Sequence, residues 1–86
     1  MSLNKNHSTI KNTTGNSFHV PVQMKHNATV NVHLYNMNGK LVRNVSQMAQ
    51  AGDQNVTIET GNLTGIYLVR AFANGENLFA DKIVLK

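Results

Sequence analysis

Ser17-Phe18-His19-Val20-Pro21-Val22-Gln23-Met24, and after Lys25-His26-Asn27 the run Ala28-Thr29-Val30-Asn31-Val32-His33-Leu34-Tyr35, decide the fold class. Phe18, Val20, Val22 and Met24 alternate with Ser17, His19, Pro21 and Gln23. Ala28, Val30, Val32 and Leu34 alternate likewise with Thr29, Asn31, His33 and Tyr35. A period of two belongs to a strand with one buried face, whereas a helix repeats its apolar positions at three and four. Folded as a hairpin on Lys25-His26-Asn27, the runs set Met24 against Ala28, Val22 against Val30, Val20 against Val32 and Phe18 against Leu34. A slip of one residue destroys that match. The first strand is expected at an edge, because Pro21 has no N–H for a ladder.

Beyond Tyr35 the segment Asn36-Met37-Asn38-Gly39-Lys40 suits a type I turn followed by a left-handed glycine. That five-residue loop predicts Leu34 opposite Val42, both inward. Residues 40–47 read as a third strand. Residues 48–54 are a connection in which Met48-Ala49-Gln50-Ala51 has the composition for a helical turn, though it is too short to nucleate a helix alone. Val56 and Ile58 mark a short fourth strand with Thr57 and Glu59 outward, and Leu63 plugs the core from a bend over residues 61–65. Residues 66–73 form a fifth strand with Tyr67, Val69, Ala71 and Ala73 inward and Arg70 outward. Asn74-Gly75 is a hairpin turn, and residues 78–85 form a sixth strand. Its facing is ambiguous, since Phe79, Ile83 and Leu85 share a side with Asp81 while Val84 lies opposite. Short strands separated by turn signals, with no convincing helical period, predict an all-β antiparallel sandwich of six or seven strands. Toward the other end, residues 1–15 are polar and aperiodic; they read as a flexible leader ahead of a module spanning residues 16–86.

Composition narrows the functional classes. At 86 residues there is room for one domain. A chain of that size buries only about 60 to 65% of the surface its unfolded form exposes. Without cysteine, neither disulfides nor thiolate metal sites support it. No run of about 18 apolar residues is present, so no transmembrane helix is expected. The net charge is +4 and the pI is about 9.8. Its eight Lys and Arg are scattered rather than clustered, which speaks for solubilising charge and against a nucleic-acid partner. The four carboxylates, Asp53, Glu59, Glu76 and Asp81, form no paired acid/base motif. Neither a nucleophile triad context, a phosphate-binding glycine loop nor a zinc spacing occurs. No catalytic, cofactor-binding or metal residue is therefore assigned.

Three weaker signals remain. The hairpin register puts His19 opposite His33, close enough to share a metal, but two ligands fall short of the four a structural zinc takes, and His26 lies out at the loop. Tyr35, with Asn31 and His33 beside it, is a candidate sugar-contact face, since flat aromatics on a sandwich stack sugars; Phe72 is a further outward aromatic. Six Asn-X-Ser/Thr triplets, at Asn6, Asn12, Asn27, Asn44, Asn55 and Asn62, read as a by-product of an Asn- and Thr-rich composition.

From about Val30 to Lys86 the chain resembles the C-terminal sorting domains of type IX (Por) secretion substrates in the Bacteroidetes and relatives. Val-Asn-Val-His-Leu-Tyr-Asn-Met-Asn-Gly-Lys-Leu-Val (30–42), Asn55-Val56-Thr57-Ile58, Leu63-Thr64-Gly65-Ile66-Tyr67-Leu68-Val69-Arg70 and Lys82-Ile83-Val84-Leu85-Lys86 carry the likeness. The high pI is also similar to that of the basic terminal domains of Fibrobacter polysaccharide-degrading enzymes. A Pro-Asn-Pro opening frequent in the family is missing from residues 1–17. The resemblance implies an immunoglobulin-like sandwich without catalytic function, at the end of a larger secreted protein such as a hydrolase. It implies the outer-membrane secretion machinery as partner, export through the periplasm, and residence at the cell surface or outside a Gram-negative cell. On this reading Lys86 is expected to be a natural terminus, and Arg70, Lys82 and Lys86 are the candidate recognition surface. The alternative is a carbohydrate-binding module on a polysaccharide-degrading enzyme, with a cell-surface or plant polysaccharide against Tyr35.

Overall fold

A computed structural model describes residues 16–85. Six strands follow one another: β1 (Ser17–Met24), β2 (Ala28–Tyr35), β3 (Leu41–Ala49), β4 (Gly52–Glu59), β5 (Gly65–Ala73) and β6 (Glu76–Leu85). All pairings are antiparallel. β1 and β4 form a two-stranded sheet, and β3-β2-β5-β6 a four-stranded one. This order is that of an immunoglobulin-like sandwich, with the C′-C-F-G sheet facing strands B and E. Tyr67 supplies a further mark of that fold: near the start of β5 its hydroxyl donates to the Thr64 carbonyl at 2.9 Å, the geometry of a tyrosine corner.

The alternating pattern does what strand geometry asks of it. Phe18, Val20, Val22 and Met24 of β1 and Val30, Val32 and Leu34 of β2 are buried, and Val56, Ile58, Tyr67, Val69, Ala71, Ile83 and Leu85 join them in one core. Leu63 packs against that core from the bend, as expected, and Phe79 does so from β6. The ambiguity of β6 resolves in favour of Ile83 and Leu85 inward, with Val84 half-exposed on the other side. Two turns also match. The Gly39 N–H donates to the Asn36 carbonyl at 3.0 Å, with Gly39 at φ 83°. Asn74 and Gly75 take φ values of 53° and 78°, as a tight two-residue hairpin turn requires.

Pairing is where the structure departs from the sequence reading. β1 does not pair with β2. It pairs with β4, Phe18 opposite Ile58 and Val20 opposite Val56, while β2 lies between β3 and β5. Lys25-His26-Asn27 therefore carries the chain from one sheet to the other. Alternation reports which face of a strand is buried and not its neighbour, so two facing strands of a sandwich and two paired strands of a hairpin look alike. Among the described strands Pro21 does sit on an outer one, β1 pairing with β4 alone. At the Asn36–Lys40 loop, a bulge between Leu34 and Tyr35 sets Leu34 opposite Arg43 rather than Val42. The helical turn considered over residues 48–51 is absent: β3 continues to Ala49 and β4 begins at Gly52. The leader assigned to residues 1–15 lies outside the described residues.

Candidate recognition face

The outer face of the four-stranded sheet collects nearly every side chain to which the sequence reading gave a role. Strand alternation turns Asn31, His33 and Tyr35 of β2 outward, and the β2–β5 register sets Asn31 opposite Phe72, His33 opposite Arg70 and Tyr35 opposite Leu68. β6 adds Lys82, opposite Leu68. Arg70 and Lys82, spaced twelve residues apart in sequence, thus become diagonal neighbours on one surface with Tyr35 beside them. Lys86 lies outside the described residues.

Polar groups on the upper part of this face are largely committed to one another. His33 Nδ1 and the Tyr35 hydroxyl are 2.8 Å apart, and the Ser46 hydroxyl donates to Asn31 Oδ1 at 2.6 Å. The His33 ring meets Phe72 edge-on with centroids 4.9 Å apart and Tyr35 at 5.8 Å. The Arg70 guanidinium lies 4.8 Å from the Phe72 ring centre, and its Nε donates to Asn77 Oδ1 at 2.9 Å. A cation over an aromatic ring at an exposed site contributes about 0.5 to 1 kcal/mol, enough to fix the guanidinium without burying it. Tyr35 is half-buried within this cluster.

The lower part is different. Ile66, Leu68 and Val84 are 45%, 46% and 50% exposed, and Leu41 adds an apolar side chain from β3. An open depression of about 380 Å³, lined among others by Tyr35, Leu68, Arg70, Ala80 and Lys82, runs between the aliphatic and the basic residues. Its only carboxylate is Asp81, which alternates to the inner side of β6 and whose Oδ1 accepts the Lys82 N–H at 2.8 Å. Asp53 and Glu59 stand on β4, in the other sheet, and Glu76 opens β6 with an exposed contact to Lys25 at 3.6 Å. The face therefore combines accessible aliphatic surface with cations. The sequence reading named the cations and set Val84 opposite Ile83 and Leu85, but gave Ile66 and Leu68 no role; their outward facing follows from the β5 parity that Arg70 and Tyr67 fix.

The paired-histidine idea is overturned. His19 lies in the two-stranded sheet, where its Nδ1 is 2.9 Å from the Thr57 hydroxyl, and His33 belongs to the opposite sheet. Among the described residues no group of three or more His, Asp or Glu converges. Also among these, no helix is long and apolar enough to cross a membrane.

No curated protein and no solved structure matches the chain. Residues 12–86 match the family described as the secretion system C-terminal sorting domain, the type IX sorting signal. That match extends the sequence likeness across nearly all of the sandwich, from before β1 to Lys86. It gives no support to the carbohydrate-binding alternative. A two-sheet immunoglobulin-like sandwich and this match agree: the chain belongs to the secretion system C-terminal sorting domain family.

Proposed function

We propose that this domain directs a larger secreted protein across the outer membrane and to the cell surface, and that the type IX machinery reads the outer face of the four-stranded sheet to do so. The observation that carries the reading is the family match over residues 12–86. The face with Arg70, Lys82, Leu68 and Val84 supports the choice of surface, since exposed aliphatic side chains bordered by cations suit an interface with a complementary partner. On this reading the domain is noncatalytic and any hydrolytic activity belongs to the protein it accompanies. The cargo travels through the periplasm of a Gram-negative cell and ends outside it or on its surface.

The test places a periplasm-directed reporter ahead of the whole chain, in a type IX-competent strain and in its secretion-null twin. Reporter reaching the surface or medium only in the competent strain is the expected result. Equal retention in both strains, with the domain folded, overturns it. Arg70→Glu combined with Lys82→Glu is expected to lower export while the domain stays folded; wild-type export by that variant removes the face from the reading while leaving sorting in place.

A further inference from the structure

Among the described residues each sheet has two outer strands, so this part of the sandwich presents four edges: β1, β4, β3 and β6. An open edge is a template for strand addition, and proteins blunt unwanted edges with proline, bulges, inward charges and lysine. β1 carries Pro21. The hydrogen bond from Thr60 N–H to the Asn16 carbonyl makes residues 16 and 60 a bonded pair, and the antiparallel register then makes Pro21 and Asn55 a non-bonded one. The missing donor of Pro21 thus falls on the free side of β1. β3 has a bulge beside Tyr35, and it turns Arg43, opposite inward Leu34, toward the inner face. β6 has a bulge near Phe72, inward Asp81 and outward Lys82. β4, by contrast, runs from Gly52 to Glu59 with no proline, bulge, lysine or inward charge.

By the same parity, Asp53, Asn55, Thr57 and Glu59 direct their amides and carbonyls away from β1. Among the described residues only the last of these carbonyls meets a side chain: Arg43 Nε donates to it at 3.3 Å. No described residue covers the flank beyond β4. Val45 and Gln47 face inward, opposite Val32 and Val30, yet Val45 is only half-buried and Gln47 is exposed. In the four-plus-three immunoglobulin arrangement this position beside strand E is held by strand D. Among the described residues the sheet is one strand short on that side.

We infer that the free edge of β4 accepts an extended strand of a partner protein, which completes the two-stranded sheet and covers Val45 and Gln47. Charge selects the partner. Asp53 and Glu59 lie on the outward side of β4, so the entering strand carries Lys or Arg toward that side and small or aliphatic residues toward β3. A second copy of this chain is disfavoured, because full antiparallel overlap of two β4 edges sets Asp53 of each copy against Glu59 of the other. This deepens the sorting reading and rests on it: the strand belongs to the secretion machinery.

The same reporter fused to the whole chain tests the inference. Asn55→Pro removes an outward amide that the β1–β4 ladder does not use. It is expected to cut export roughly tenfold or more, the factor carried by one or two lost hydrogen bonds, while the purified chain melts as before. Gln23→Pro, on the already blocked edge of β1, is expected to export normally. Asp53→Lys with Glu59→Lys leaves the backbone intact and is expected to lower export as well, which keeps the test valid should the proline variant unfold. Normal export of both β4 variants while folded, or equal loss with Gln23→Pro, overturns the edge assignment and leaves sorting standing. Failure of the unsubstituted chain to be exported overturns the sorting reading and this inference with it. Amide exchange on the isolated chain is expected to be fast at Asn55 and Thr57. Protection that grows with concentration assigns the edge to a second copy, and protection in the dilute chain assigns it to this chain itself; either result overturns a heterologous partner.

Discussion

The two flanks of the sandwich are built to different standards. Where β6 forms the margin, Ile83 and Leu85 are buried and Phe79 packs on the core, with Asp81 the one inward charge among them. Where β3 forms it, Ala49 is buried at one end, but Arg43, Val45 and Gln47 also face inward and of these three only Val45 is even half-buried. The difference teaches that cover follows side-chain chemistry. Apolar inward residues must be sealed at every moment, whereas a margin lined by an arginine and a glutamine stays soluble while open. Such a margin is able to wait for a partner, and one dominated by large apolar side chains is not.

Substitutions break or sharpen this contrast. Phe18→Ala, in the sealed core, is expected to cost about 3 to 5 kcal/mol, read as a lower urea midpoint at unchanged slope. Val56→Pro removes an amide that bonds across to Val20 and is expected to cost about 3 kcal/mol or more, whereas Asn55→Pro, one residue away, is expected to stay within about 1 kcal/mol. Thermal melts of that pair read the parity of the β4 edge directly; equal losses break it. Tyr67→Phe deletes the hydroxyl bond to the Thr64 carbonyl and is expected to cost about 1 kcal/mol. Smallest is Gln47→Ala on the open flank, expected within about 0.5 kcal/mol because nothing covers the side chain. A loss there as large as that of Tyr67→Phe means the flank is closed in solution.

Much of this architecture was legible in the residues, and what was not has a physical cause. Alternation placed Phe18, Val20, Val30 and Val32 inward, and the glycines located the turns at Gly39 and Gly75. The partner of β1 was hidden, because apolar residues on β1 and β2 face each other equally well across a sandwich or within a hairpin. Arg43 and Gln47 hid the length of β3: inward polar residues erase the period of two, so the strand was read short and a helical turn was entertained after it. Arg70, Lys82 and Tyr35 each carried a functional expectation, yet their common face rests on the β2–β5 pairing, which joins residues far apart in the chain. The edge of β4 is not legible in its own residues, because what sets it apart is the proline, bulges and inward charges that the other three outer strands carry.

The crossing at Lys25-His26-Asn27 has a consequence in time. Because it separates β1 from β2, β1 waits for a partner far downstream; His19 and Thr57, which bond across the finished sheet, are 38 residues apart. At about 5 to 20 residues per second of synthesis that wait is roughly 2 to 8 s. β2, in turn, reaches its neighbour β5 only after β3 and β4 have been made. Non-local pairing of this kind folds slowly, on the millisecond-to-second scale even when the whole chain is present. The sandwich thus commits to its shape late, after most of its strands exist, and the surfaces described above arise together rather than one by one.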